Sequence, residues 1–282
     1  MTQSSGSRGI ASFSRVQRSP IHESDVISHV RYTVGSWPKV NAVQMSAMDH
    51  EQLASQFWEA GYLAVDSFFE GELLDELDQL IVDHFGEAPG FLHTEEFLSK
   101  SKTDVIPWFP QNDGISAFDG IAELESLSEL TRWILGADWK ALYCMVMFSK
   151  RGTVGQAWHQ DCAPDVSDKY NLNRLVYTRD IDVATGGQIV VVPGSHRRGE
   201  LPPGDPWADM EDQVVLDPRK GTLLILHGHT WHRVLPVTGN IRFSTNYRAM
   251  PSGTPEDITD ICLYRNMRYC FSTESVVEER AG

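Results

Sequence analysis

The chain has 282 residues, of which 41% are hydrophobic and 22% are charged, and its formal net charge at pH 7 is −15. These values are ordinary for a globular domain with a sizeable core. The acidic balance and the scattered Lys and Arg argue against nucleic acid as a partner, because nucleic-acid binders usually carry a basic face. No apolar run reaches the ~20 residues that span a bilayer, so no membrane association is expected.

The four cysteines show no CxxC spacing, and the first residues contain no apolar stretch of the kind found in secretory signals. We therefore expect free thiols in a cytoplasmic protein. Residues 1–44 are polar and weakly periodic, which predicts an extended or partly disordered N-terminal arm. Residues 45–282 are predicted to form a single domain with a helical part (45–138), a β-rich core (139–250) and a C-terminal extension (251–282).

Helical periodicity dominates the first part of that domain. Leu53 and Phe57 share one face, and Gly61 is placed to end their helix. The spacing of Ser126 and Glu129 matches a capping box and predicts that a helix begins there. The predicted elements are a helix over 49–60, a strand over Tyr62–Val65, a helix over 71–85, a mostly irregular segment over 86–120, and a helix from Ser126 to near Gly136.

After Trp139 the sequence changes to short apolar or alternating runs separated by turn residues. Such runs predict an antiparallel sandwich or barrel. Their irregular intervals favour a jelly roll, cupin-like and mainly β with flanking helices, over an immunoglobulin-like sandwich. The predicted strands are 141–149, 154–161, 172–181, 188–192, 213–216, 222–226, 231–236 and 241–249.

The segment Trp158-His-Gln-Asp161 places a histidine and a carboxylate two positions apart. On a strand, side chains at i and i+2 point to the same face, so His159 and Asp161 can contact one ion. One imidazole and one carboxylate are two of the three ligands of the 2-His-1-carboxylate triad, which leaves coordination positions open in non-haem iron(II) oxygenases. A His-X-Asp pair is also common at surfaces and caps, so the pair alone does not identify a metal site.

A histidine-rich segment, 221–232, is predicted to be a strand, a turn and the start of another strand. The chain between Asp161 and this segment is long enough for a jelly roll to bring it beside the strand of His159. Three histidines compete for the role of third ligand: His227, His229 and His232.

The predicted strand over 241–249 carries Arg242, Ser244, Asn246 and Arg248 on one face and mostly apolar residues on the other. Burying four polar side chains is costly without a ligand or partners. An arginine with a nearby hydroxyl suits a carboxylate, which the guanidinium binds through two parallel hydrogen bonds. The alternative is a strand whose polar face is in solvent, as in many antiparallel sheets.

The His-X-Asp pair, the distal histidine and the Arg242-X-Ser244 strand, in this order, resemble the iron(II)/2-oxoglutarate-dependent dioxygenases. More narrowly, the chain resembles the phytanoyl-CoA dioxygenase-like family, which is built on a double-stranded β-helix. The segments 61–65, 186–196 and 221–232 support that branch. The resemblance covers roughly residues 50–250.

This resemblance implies a metal-ligand set and a co-substrate site. His159, Asp161 and His232 would ligate iron(II). Arg242, assisted by Ser244, would hold the distal carboxylate of 2-oxoglutarate, and O2 would be consumed with it.

The chain departs from the family pattern at two places. Val234 stands where the family often has a Ser or Thr that contacts the co-substrate, and Thr178-Arg-Asp-Ile stands where it often has Ala-Leu-Asp-Asp. Tyr177 and Gln156 are further candidates for contact with the co-substrate, with a structural role as the alternative for each.

Other segments have both a functional and a structural interpretation. Trp108 and Phe109 either line the pocket or pack locally. Long loops at the mouth of a barrel often carry function. The loops 162–173 and 200–212 are therefore both candidates for a lid.

The activity implied by the resemblance is hydroxylation of an unactivated C–H bond of a small metabolite, with decarboxylation of 2-oxoglutarate to succinate. The metabolite is expected to be an amino acid or a natural-product intermediate. Asp161 favours hydroxylation over halogenation, because halogenating relatives carry Gly or Ala there. The alternatives are desaturation, epimerisation or cyclisation at the same iron site, a cupin-type metalloenzyme that does not use 2-oxoglutarate, and a binding module without catalysis. The only expected partner is a small-molecule substrate, and the sequence does not indicate the oligomeric state.

Overall fold

Two antiparallel sheets form the body of the computed structural model, which describes residues 47–69, 71–87, 105–270 and 279–281. Residues 1–44, the predicted N-terminal arm, lie outside the described residues. Within the described part, the first sheet has the strand order β1-β8-β5-β10-β3-β2 and the second has β13-β12-β11-β4-β9-β6-β7. Non-consecutive neighbours of this kind are the signature of the predicted jelly roll, which is confirmed.

The strands of the two sheets are β1 (Tyr62–Val65), β2 (Ile106–Trp108), β3 (Lys140–Lys150), β4 (Gln156–Gln160), β5 (Leu172–Val176), β6 (Ile189–Val191), β7 (Val214–Leu216), β8 (Leu223–His227), β9 (His232–Val234), β10 (Ile241–Met250), β11 (Ile261–Tyr264), β12 (Met267–Cys270) and β13 (Glu279–Ala281). The helices are α1 (Ala47–Ala60), α2 (Glu72–Phe85), α3 (Asp119–Ala122) and α4 (Glu125–Leu135). No helix of the described part is long and apolar enough to cross a membrane.

The helices cover the outer face of the first sheet. Buried residues of α1, α2 and α4, such as Phe57, Leu77 and Leu127, form one apolar cluster with outward-facing sheet residues, among them Phe148 and Phe243. Each large side chain buried in this way contributes about 1.5–3 kcal/mol through removal from water. This layer fixes the first sheet, so its inner face can hold polar side chains in set positions.

A second apolar cluster lies between the sheets. Leu175, Tyr177 and Leu224 of the first sheet pack against Val191 and Val234 of the second. Alternation along each strand separates the two apolar clusters, since Arg174 and Val176 point to the helices while Leu175 and Tyr177 point inward. The inter-sheet cluster therefore ends where the inward-facing residues become polar.

The eight strands predicted between residues 139 and 250 are all present, with ends that differ by a few residues. Gly61 ends α1 as predicted, since its φ of 78° is left-handed and its N–H donates to the Phe57 carbonyl at 2.7 Å. The predicted capping box is wrong. The helix α4 begins at Glu125 with Leu124 at the N-cap and no side-chain cap, so Ser126 lies inside the first turn.

Two parts of the sheets were not predicted. The strand β2 lies in the segment predicted to be irregular, and its Pro107 is tolerated because β2 is an edge strand that pairs only with β3. In the C-terminal extension, β11 pairs with β4, the strand that carries His159, and it brings Tyr264 opposite His159.

Candidate metal centre

Three predicted ligands converge where the two sheets face each other. The strands β4 and β9 are antiparallel neighbours with His159 opposite His232, and Asp161 directly follows β4. A carboxylate oxygen of Asp161 lies 3.4 Å from Nε2 of His232 and the other lies 3.9 Å from Nε2 of His159. One ligand atom of each residue lies within 4.8 Å of the others, and no other group of His, Cys, Asp and Glu in the described part of the chain meets that condition.

Backbone carbonyls orient both imidazole rings. Nδ1 of His159 lies 2.7 Å from the Ala157 carbonyl, and Nδ1 of His232 lies 2.9 Å from the Thr230 carbonyl. A carbonyl only accepts, so each Nδ1 carries the hydrogen and each Nε2 has its lone pair towards Asp161. Burial, reinforced by the charge of His232, lowers the pKa of His159 to about 3, so this ring is neutral near pH 7.

Two donors hold the carboxylate of Asp161. Asn173 Nδ2 donates to Oδ2 at 2.7 Å, and Arg248 Nη2 donates to Oδ1 at 3.0 Å. Asn246 Nδ2 in turn donates to the side-chain oxygen of Asn173 at 2.8 Å. Burial alone would raise the pKa of Asp161, but the positive charge of Arg248, together with the electrostatic interactions of His232 and His159, outweighs it and lowers the pKa to about 2. The carboxylate is therefore ionised and fixed in orientation.

This donor set is able to bind a divalent transition metal. Two imidazole nitrogens and one carboxylate suit iron, nickel, copper or zinc, whereas magnesium and calcium prefer oxygen ligands alone. Three protein ligands on one side of an ion leave coordination positions for other molecules.

A second polar site surrounds Arg242 on the inner face of β10, the face that also carries Asn246 and Arg248. Arg242 Nε donates to the Gly187 carbonyl at 3.1 Å and Nη1 donates to Ser244 Oγ at 3.2 Å. Nη2 of Arg242 and the hydroxyl of Tyr177 are both buried without a hydrogen-bond partner in the described part of the chain. Burial raises the pKa of Tyr177 to about 12, and the nearby charge of Arg242 opposes that rise. Two unpaired buried donors are costly unless an acceptor binds there.

The competing histidines lie elsewhere. His227 and His229 form a buried cluster with His196, with ring centroids 5.2 Å apart for His196 and His227 and 4.9 Å apart for His227 and His229. Tyr170 stacks on His227 at 4.0 Å. We call these three residues, His196, His227 and His229, the histidine cluster. Burial lowers the pKa of each of them, and that of His196 falls to about 4.

Several candidates from the sequence have a packing role. Trp108 donates to Asp113 at 2.7 Å and stacks on His84, within the helical layer. Val234 lies in the inter-sheet cluster with Tyr177. Phe109 contacts the ring of Tyr143, which borders Arg248.

The sequence did not predict that Asn173 and Tyr264 lie beside the candidate metal ligands. The alternation that places Tyr177 inward also places Asn173 inward, so a signal for Asn173 was present. Tyr264 stacks on His159 with ring centroids 5.0 Å apart, and this contact depends on a strand pairing that no local pattern predicts.

Comparison with solved structures finds the same fold in SnoN, HygX and SnoK. The epimerase SnoN, in complex with Fe3+, alpha-ketoglutarate and nogalamycin RO, has a TM-score of 0.57 and 19% identity, over 78% of this chain and 87% of that chain. HygX from Streptomyces hygroscopicus, with nickel and 2-oxoglutarate bound, has a TM-score of 0.57 and 15% identity, over 73% and 88%. The carbocyclase SnoK from nogalamycin biosynthesis has a TM-score of 0.56 and 14% identity, over 81% and 90%.

The curated proteins contain no match to the sequence. The profile of the family described as phytanoyl-CoA dioxygenase (PhyH) matches residues 57–243. The matched range contains His159, Asp161, His232 and Arg242 and includes strands of both sheets. The chain therefore belongs to the phytanoyl-CoA dioxygenase family.

Proposed function

We propose that the protein is an iron(II)- and 2-oxoglutarate-dependent oxygenase that hydroxylates an unactivated C–H bond of a small metabolite. One observation carries this proposal: the His159–Asp161–His232 ligand set lies between the two sheets, and Arg242, on the inner face of β10, has a free donor. A metal alone accounts for the first feature. The second calls for an anionic ligand as well.

The ligand set fits iron(II) as a resident ion. His159 and His232 present their Nε2 lone pairs, and the carbonyls of Ala157 and Thr230 prevent the rings from turning away. The carboxylate of Asp161 supplies one negative charge. Iron with 2-oxoglutarate and O2 would supply the oxidising chemistry, giving succinate, CO2 and an oxidised substrate.

The Arg242 site fits the distal carboxylate of 2-oxoglutarate. Nη2 of Arg242 and the hydroxyl of Tyr177 are the free donors, and Ser244 holds the guanidinium in place. Many relatives use a Ser or Thr at the position of Val234. We propose that Tyr177 replaces that hydroxyl here, since both residues lie in the inter-sheet cluster.

The structural neighbours support a natural-product substrate. HygX has been crystallised with hygromycin B, and SnoN with nogalamycin RO. We therefore favour an intermediate of natural-product biosynthesis or an amino acid. Hydroxylation is favoured over halogenation because Asp161 occupies the ligand position, and desaturation, epimerisation or cyclisation at the same iron site are the alternatives.

Isotope labelling under ¹⁸O2 tests this reaction. The iron(II)-loaded enzyme is incubated with 2-oxoglutarate and a panel of amino acids, aminoglycosides and aromatic polyketide glycosides, and succinate and products are measured by mass spectrometry. Hydroxylation predicts succinate in step with a product that carries one ¹⁸O atom. A succinate-coupled product without ¹⁸O indicates desaturation, epimerisation or cyclisation. Turnover that needs no 2-oxoglutarate contradicts the proposal, and Arg242→Gln is the matched variant expected to lose succinate release.

A further inference from the structure

Arg248 is a buried cation with more donors than described partners. Its side chain is 5% exposed, and Nη2 donates to Asp161 Oδ1 at 3.0 Å. Nε and Nη1 are buried without a hydrogen-bond partner in the described part of the chain. The ring of Tyr143 lies 5.7 Å from the guanidinium carbon. The Tyr143 hydroxyl donates to Thr259 Oγ1 at 3.2 Å and also interacts with the Arg248 side chain.

The ion pair with Asp161 does not account for these free donors. A single charge–charge contact needs only an ammonium, whereas a guanidinium offers five N–H donors in one plane. The free nitrogens lie beside the candidate ligand Asp161, so an acceptor that reaches them also lies at the metal centre. A planar carboxylate is the acceptor that matches a guanidinium best.

The charge of the site also calls for another anion. Asp161 is the one carboxylate among the described groups that act on Arg242 or Arg248, and these two arginines are positive. A divalent metal and the 2-oxoglutarate dianion cancel each other, and Asp161 neutralises one arginine. One positive charge is left in a buried site, where an unpaired charge is strongly disfavoured.

We infer that Arg248 binds a carboxylate of a ligand held at the metal centre, so that its guanidinium bridges this carboxylate and Asp161. The inference rests on the proposed function, because it assumes iron and 2-oxoglutarate in this site. The carboxylate comes from one of two sources. The keto-acid end of 2-oxoglutarate would satisfy the free nitrogens, whereas an acidic group of the substrate would satisfy them and also supply the missing negative charge.

The first arm of the test measures binding of keto acids. Anaerobic iron(II) enzyme is titrated with 2-oxoglutarate and with 2-oxopentanoate, which lacks the distal carboxylate, and the charge-transfer absorbance is followed. If Arg248 binds the keto-acid end, Arg248→Gln lowers the affinity for both keto acids by about ten- to hundredfold, the usual effect of a lost charged hydrogen bond. Arg242→Gln is the matched contrast, since it should weaken the binding of 2-oxoglutarate and leave the binding of 2-oxopentanoate unchanged.

The second arm measures substrate charge. Enzyme saturated with 2-oxoglutarate in the absence of O2 is titrated calorimetrically with amino acids and with their α-amides. If Arg248 binds the substrate, the wild-type enzyme prefers acids to amides by at least about tenfold, and Arg248→Gln removes that preference while both keto acids bind normally.

Two further variants separate ligand binding from support of Asp161. Arg248→Lys keeps the charge beside Asp161 and loses the planar donor pair, so it should keep iron bound and still lose affinity for the carboxylate. If Arg248→Gln does not fold, Arg248→Lys takes its place in both binding experiments. Arg132→Gln, whose guanidinium pairs with Glu129 on α4, should match the wild type.

Each result has a defined meaning. The inference is overturned if Arg248→Gln leaves both keto-acid affinities within about twofold and no acid binds better than its amide. It is also overturned if Arg248→Gln loses only iron and Arg248→Lys restores it with unchanged ligand affinities. A wild-type enzyme without any charge-transfer band contradicts the proposed function itself, and with it this inference.

Discussion

At the residue scale, the candidate centre depends on the groups that orient its ligands. Carbonyls of the chain set the ring tautomers of His159 and His232, while Asn173 and Arg248 hold the two oxygens of Asp161. The sequence was sufficient to predict the three ligands that converge. The Arg242-X-Ser244 strand that follows His232 favoured this histidine over His227 and His229, and the pairing of β4 with β9 places His232 opposite His159.

Loss of the Asn173 amide should weaken metal binding. Asn173→Ala removes the 2.7 Å donor to Asp161 and frees the carboxylate to rotate. Removal of such supporting hydrogen bonds typically costs about 10–100-fold in metal affinity. Competitive iron(II) titration measures the effect, and a wild-type affinity in Asn173→Ala would show that Arg248 alone fixes Asp161.

Loss of the Tyr177 hydroxyl should weaken the binding of 2-oxoglutarate. Tyr177→Phe keeps the buried ring and removes one proposed donor, so the KM for 2-oxoglutarate should rise by up to about tenfold, the worth of one hydrogen bond. The kcat should change little, because the proposed contact of this hydroxyl is with the distal end of the co-substrate, away from the reacting atoms. Tyr170→Phe, next to the histidine cluster, is the control. An unchanged KM in Tyr177→Phe would remove Tyr177 from the co-substrate site.

At the element scale, strands determine where each polar residue points. The alternation of β10 predicted the inward face of Arg242, Ser244 and Asn246, and the buried strand has that arrangement. The interpretation of this face as solvent-exposed is wrong, since every residue of β10 is buried. The contribution of β11 could not be predicted, because its pairing with β4 joins residues far apart in the sequence.

The histidine cluster predicts a pH dependence of stability. Folding lowers the pKa of His196 to about 4 and also lowers those of His227 and His229, whereas unfolded histidine titrates near 6.5. Between these pH values the unfolded chain binds more protons than the folded one. The stability contribution is therefore complete above about pH 6.5 and is lost as the pH falls towards 4.

The variant His227→Asn tests whether the histidine cluster causes this loss of stability at low pH. His227→Asn keeps an acceptor for the His229 N–H, which Nδ1 of His227 now accepts at 3.1 Å, and removes one titrating ring. Denaturant unfolding of the metal-free protein from about pH 7.5 to 4.5 should show a smaller loss of unfolding free energy in this variant than in the wild type. His84→Asn, on α2, serves as the control. Equal pH dependence in His227→Asn and the wild type would show that other groups dominate acid unfolding.

At the scale of the whole molecule, the two sheets bring together residues from the middle and the end of the chain. Composition and strand spacing predicted the jelly roll because alternation and turn residues are local signals. Sheet order, the edge strand β2 and the contact of Tyr264 with His159 are long-range outcomes, so the sequence did not indicate them. The predicted division into helical part, β core and C-terminal extension stays a prediction about domain organisation.

Anaerobic absorbance spectroscopy tests the central claim most directly. Addition of iron(II) and 2-oxoglutarate to the wild-type protein should produce a weak metal-to-ligand charge-transfer band in the visible range. His159→Ala should abolish the band, and His227→Asn, altered in the histidine cluster, should retain it. A wild-type protein without the band, or a band that persists unchanged in His159→Ala, would contradict an iron and 2-oxoglutarate site built on His159, Asp161 and His232.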